Sequence, residues 1–168
     1  MQIDVKDNYK YLILDAAQVS ERTLLFINTC RSDTRIEFYS LFSGTTEGNA
    51  PIEVSPILIV LNDLAILQDE KFNFIEEIWE SEQALNLIES HLDLKNFIKK
   101  MKKYLTVYFP DGSKKIFRWF DPRVVKKIDK ILGEEQQYEF FKDIEKWLIS
   151  IRNYRDINSN QIMHLENV

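Results

Sequence analysis

Tyr9-Lys10-Tyr11-Leu12-Ile13-Leu14-Asp15-Ala16 is the first strongly apolar stretch of this sequence. Its aromatic and branched residues predict a first β-strand, and its unbroken apolar run predicts burial on both faces. Pro56-Ile57-Leu58-Ile59-Val60-Leu61 has the same character and predicts a second strand of that kind. Between them, Ser20 is placed to cap a helix whose first turn holds Glu21 and which carries Leu24, Leu25, Ile27 and Cys30. Arg35 to Phe42 predicts a strand, followed by the turn-rich loop Ser43 to Pro51.

Phe74 to Trp79 reads as a short strand, and Ser81 as the cap of a helix over 81–92. In that helix Leu85, Ile88 and Leu92 repeat at i, i+3 and i+7, with Ala84, Leu87 and His91 beside them. Tyr104 to Phe109 and Lys114 to Phe120 form two strands around Pro110-Asp111-Gly112-Ser113, a hairpin signal. Asp121-Pro122 starts a helix: Asp caps it, and Pro fits the first helical position because its missing N–H needs no partner there. Gly133 would end that helix in the left-handed conformation. A last helix begins near Glu134, with Phe140, Ile144, Trp147 and Ile151 at helical spacing. The expected fold is α/β (α+β), a mixed β-sheet with packed helices and C-terminal helices. One compact domain spans 1–152, and 153–168 is a polar, fraying tail.

The 168 residues suit one domain, and a 45% hydrophobic fraction supplies a substantial core. The net charge of −5 argues against a nucleic-acid partner. The basic run Lys99-Lys100-Met101-Lys102-Lys103 reads as a solvated turn before a strand, with phosphate or membrane contact as the alternative. The apolar run from Pro56 to Leu61 is too short to span a bilayer, and the N-terminus lacks a signal-peptide layout, so no membrane role is expected and the expected compartment is the cytoplasm.

The ordered set Tyr11–Ala17, Tyr39–Thr45, Ala50-Pro51, Ser55–Leu61, Ser81 through Leu92, Phe117-Arg118-Trp119-Phe120-Asp121-Pro122-Arg123-Val124, Phe140-Phe141 and Trp147 resembles the adaptor-chaperone domain of type VI secretion. The resemblance runs from about Tyr9 to about Leu148. It implies a non-enzymatic loading factor that binds a secreted toxin effector and helps place it on the valine–glycine repeat spike protein (VgrG). Many such relatives continue into a further helical lobe, whereas this chain stops soon after the Trp147 stretch. That departure points to Trp147, Ile151 and Tyr154 as an open capture surface, or one shared with a second copy in a homodimer.

Single residues carry competing readings. Arg123 in a first helical turn opposes the helix dipole, so a carboxylate or carbonyl partner within the fold is expected, or else contact with a binding partner. Arg118, on a strand among aromatics, is expected to pair with Asp15 or Asp121, or else to contact a partner. Asp15, Asp121 and Pro122 are read as structural. Asp15, Ser40 and His91 do not make a hydrolase, because no Ser lies in a G-x-S-x-G elbow. Cys30 lacks an activating partner. No metal-ligand spacing or phosphate-binding loop occurs, so no metal or cofactor is expected. The aromatics Tyr104, Tyr108, Phe117, Trp119 and Phe120 read as core rather than a base-stacking platform. An enzyme and a general peptide-binding or oligomerisation module stand as alternatives to the adaptor.

Overall fold

The structure is a computed structural model that describes residues 10–62, 64–81, 83–150 and 162–163. Its centre is β1 (Tyr11–Asp15), in which all five residues are buried. Successive side chains of a strand point to opposite faces, so Leu12 and Leu14 enter one apolar cluster and Tyr11 and Ile13 another. β1 lies between β3 (Pro56–Val60) and β4 (Leu85–Ser90), with Leu12 opposite Ile59 on one side and Leu87 on the other. β2 (Glu37–Ser40) borders β3, β7 (Ile144–Ile149) borders β4, and β8 (Ile162–Met163) borders β7. The sheet order is β2-β3-β1-β4-β7-β8.

Where a mixed sheet was expected, every described pairing is antiparallel. β1 and β2 do run in the same direction, but β3 lies between them. The α+β class itself holds. Helices α1 (Ser20–Ser32) and α2 (Asn73–Ser81) supply the first cluster with Phe26, Ile27 and Cys30, and with Ile75, Ile78 and Trp79. On the other face stand α3 (Leu94–Lys103), the hairpin β5 (Thr106–Tyr108) and β6 (Lys114–Ile116), α4 (Pro122–Val125) and α5 (Glu134–Phe141). Coverage on both sides explains why β3 and β1 as far as Leu14 are apolar, a pattern more familiar from parallel sheets.

Three expected elements change type. The stripe Leu85, Ile88, Leu92 is not a helix over 81–92: Leu85–Ser90 is a central strand with all six residues buried. A strand buried on both faces presents apolar residues at helical spacings as well. The helix comes one element later. Asp93 caps α3 by accepting from the Asn96 N–H at 2.8 Å, Phe97 and Met101 are buried, and the basic run becomes its last turn rather than a solvated turn. Cations there complement the C-terminal end of the helix dipole. Phe74–Trp79 is helical, because Phe-Ile-Glu-Glu-Ile-Trp has the helical period and leaves Glu76 and Glu77 outside.

The expected helix carrying Trp147 also divides. α5 ends at Phe141, and Ile144–Ile149 becomes β7 along β4. Gly133 does not take a left-handed conformation: its φ is −67°, and it sits at the start of α5, where its N–H donates to Gln136 Oε1 at 3.1 Å. α1 starts at Ser20 itself, with Val19 in the cap position, and Leu24 and Leu25 are exposed. Apart from β8, the polar tail lies outside the described residues.

Candidate functional site

Arg118 follows β6 and enters the fold beside β1. Its Nη2 donates to Asp15 Oδ2 at 2.6 Å, and Gln18 Nε2 donates to the same oxygen at 3.3 Å. Asp15 is fully buried, while the Arg118 side chain keeps 42% exposure. Asp15 Oδ1 and Arg118 Nε are buried without a hydrogen-bond partner among the described residues. Burial therefore pushes the Asp15 carboxyl above its usual range, and the Arg118 guanidinium opposes that rise only in part.

Asp121 continues the chain of charges. Its Oδ2 lies 4.0 Å from Arg118 Nη2. Its Oδ1 accepts the Arg123 N–H at 2.9 Å, which caps α4, with Pro122 in the first turn. The Arg123 guanidinium grips the same carboxylate with both arms, Nε to Oδ1 at 2.9 Å and Nη2 to Oδ2 at 2.6 Å. This fork offsets the unfavourable placement of a cation in a first helical turn. Asp15, Arg118, Asp121 and Arg123 are thus brought together as one structural network in which both arginines remain partly exposed.

Trp147 is not at the capture surface expected for it. It is buried, stacked on Phe140 at 5.6 Å and packed edge-on against Trp119 at 6.0 Å. The strand conformation of β7 turns it inward. Ile151 and Tyr154 lie outside the described residues. Phe117, Trp119 and Phe120 are core, whereas Tyr108 is exposed. Cys30 is buried, and its thiol is pushed up to about 12 by that burial.

Sequence reasoning missed two features. Asn86 of β4 is a fully buried amide whose Nδ2 donates to the Phe120 carbonyl at 2.7 Å. The other is the exposed β5–β6 hairpin, with Tyr108, Ile116 and Lys114 on one face and Phe109 and Lys115 on the opposite one. Of the hairpin aromatics expected in the core, Tyr108 is the one the structure places outside. A shallow surface depression of about 260 Å³ is lined by His91, Lys142, Asp143, Ile144 and Glu145, and its His91 Nδ1 lies 2.9 Å from Glu145 Oε1. Among the described residues no group of three or more His, Cys, Asp or Glu is placed to hold a metal ion, and no helix is long and apolar enough to cross a membrane.

Residues 10–139 match a protein family described as a domain of unknown function, DUF4123. This chain belongs to the DUF4123 family. The matched span begins just before β1 and ends within α5, so it includes the Asp15–Arg118–Asp121–Arg123 network and the hairpin, while β7 follows it. Searches of curated proteins and of solved structures found no match.

Proposed function

We propose that this DUF4123 protein is a non-enzymatic adaptor-chaperone that binds a type VI secretion effector in the cytoplasm and helps load it onto the VgrG spike. The observation that carries the reading is the ordered motif set from Tyr11–Ala17 to Phe117–Val124. It resembles the adaptor-chaperones of that system and falls inside the family span 10–139. The charged network supports a scaffolding reading of the strongest motif. Asp15 and Asp121 are each engaged by an arginine inside the fold, an arrangement that ties β1 to the segment leading into α4. An adaptor must release its cargo, and a modest interface suits that task.

Deletion of the gene in its host, followed by a secretion assay, tests the proposal. Retention of one neighbouring effector while the apparatus still fires is the expected result. Loss of all secretion would make the protein a structural component, and unchanged secretion with unchanged effector levels would overturn the reading. A general peptide-binding module is the second reading, favoured by the exposed hairpin. Pull-down with the effector encoded beside this gene separates the two.

A further inference from the structure

We propose that the β5–β6 hairpin is a docking edge for an extended, acidic protein segment that adds as a strand along β6. The inference deepens the adaptor reading by naming the chemistry of the cargo segment. That the segment belongs to an effector rests on that reading; its chemistry rests on the hairpin.

The backbone comes first. Phe117 N–H bonds the Leu105 carbonyl at 2.8 Å and Phe109 N–H bonds the Ser113 carbonyl at 2.9 Å. With Lys115 opposite Val107 between them, antiparallel alternation directs the N–H and C=O of Lys114 and Ile116 away from β5. Among the described residues no strand pairs with that outer edge of β6. The turn holds the edge in place: Gly112 N–H bonds the Phe109 carbonyl at 2.9 Å, with Pro110 and Asp111 between them and Gly112 at φ +81°. That left-handed position favours glycine.

The side chains set the partner's character. Thr106, Tyr108, Lys114 and Ile116 share one face of the hairpin, and Tyr108 is 71% exposed. Lys114 Nζ lies 5.3 Å from the centre of the Tyr108 ring, and Lys115 Nζ lies 5.2 Å from that of Phe109. The ammonium groups therefore stay close to the strand. The stretch of sequence that holds the hairpin is basic: residues 94–130 have twelve Lys and Arg against three Asp, in a chain of net charge −5. Some of those cations are engaged within the fold, Lys100 by Asp143 at 2.6 Å, Lys102 by the Ser43 carbonyl, Arg118 by Asp15 and Arg123 by Asp121, and Lys114 is close enough to Glu47 to help hold that carboxyl below its usual range.

Lysines on a short edge strand also serve to prevent strand-to-strand aggregation. That role explains Lys114 and Lys115, but it gives no reason for exposed Tyr108, Phe109 and Ile116 beside them. An acidic segment with alternating apolar residues satisfies both, through main-chain bonds to the edge, carboxylates on the face that carries Lys115 and apolar side chains on the face that carries Tyr108 and Ile116. A nucleic acid fits less well, because its phosphate backbone cannot continue the ladder and the chain as a whole is acidic.

The test uses the full chain and a fluorescein-labelled peptide of alternating Glu and Val, read by fluorescence anisotropy against a Lys–Val counterpart. The Glu–Val peptide is expected to bind, more weakly as salt rises, and the Lys–Val peptide not to bind. Replacing both lysines, Lys114→Glu with Lys115→Glu, should weaken binding at least about tenfold, a change of about 1.4 kcal/mol. Ile116→Pro removes an outward N–H and spares the bonds of Lys115 with Val107, a substitution edge strands accept. It should weaken binding similarly while the melting temperature holds. Absence of binding, equal binding of both peptides, or full binding by Ile116→Pro would overturn the proposal. So would equally tight binding of an oligothymidylate of the same charge, or of anionic vesicles. Concentration-dependent self-association abolished by the lysine changes would assign the edge to a second copy instead. The assay contains neither effector nor spike, so its failure leaves the adaptor reading standing, and a negative secretion assay leaves peptide binding standing.

Discussion

Trp147 Nε1 donates to Asn86 Oδ1 at 3.0 Å inside the core. The two residues lie on one face of adjacent strands, since Trp147 is opposite Ile88 and Asn86 is two residues away along β4. The same amide reaches the Phe120 carbonyl just before α4. One buried side chain therefore links β4, β7 and the start of the capped helix.

Replacing that amide exposes its worth. Asn86→Leu leaves a buried indole N–H and a buried carbonyl without partners, each costing about 1–3 kcal/mol. A lower urea midpoint with an unchanged slope is the expected result. Combining Asn86→Leu with Trp147→Phe should cost less than the two changes summed, because the indole donor is then absent.

Asp15 makes an unusual pH dependence. Its carboxyl binds a proton more tightly folded than unfolded, because burial outweighs the help of Arg118. Its contribution to stability is thus present at low pH and declines as pH rises through its raised folded value. Asp15→Asn should flatten that component, so the stability of the native chain relative to the variant rises as the pH is lowered. Thermal melts of both proteins across the acid range measure the difference.

Arg118→Ala strands the Asp15 carboxylate. Breaking a fully buried pair costs about 3–5 kcal/mol, and the partial exposure of Arg118 reduces this to roughly 1–3 kcal/mol. At neutral pH the loss should shrink when Asp15→Asn is added, since the stranded charge is then gone. Equal losses with and without Asp15→Asn would refute the pairing as the source of the effect.

Asp121→Ala removes the α4 cap and the carboxylate that holds Arg123. A cap contributes about 1 kcal/mol, or about 2–4 °C in melting temperature for a chain of this size. An unchanged melting temperature with lost partner binding would instead make Asp121 a contact residue.

Cys30 should resist alkylation in the native protein at neutral pH. Its thiol is buried and pushed up to about 12, so little thiolate forms. Labelling with iodoacetamide should become fast only in denaturant. Fast labelling of folded protein would contradict the burial.

Sequence alone was enough to place β1, β3 and the hairpin, because unbroken apolar runs and a Pro-Asp-Gly turn are local signals. It also placed the Asp121-Pro122 helix start, whose cap chemistry is contained in three consecutive residues. The pairing of Arg118 was legible as a need, since a charge among aromatics demands a partner, but two carboxylates qualified and the fold brings both near it. The identity of β4 and β7 was not legible. Leu85–Ser90 and Ile144–Ile149 carry apolar residues at spacings compatible with either period, and only their place beside β1 and along β4 makes them strands. Trp147 shows the consequence: it was expected at an open capture surface, and as a β7 residue it is locked between Phe140 and Trp119. Which apolar residues are core and which are surface, from Trp147 inward to Tyr108 outward, was decided by tertiary contacts, because burial is a property of neighbours distant in sequence that no local period records.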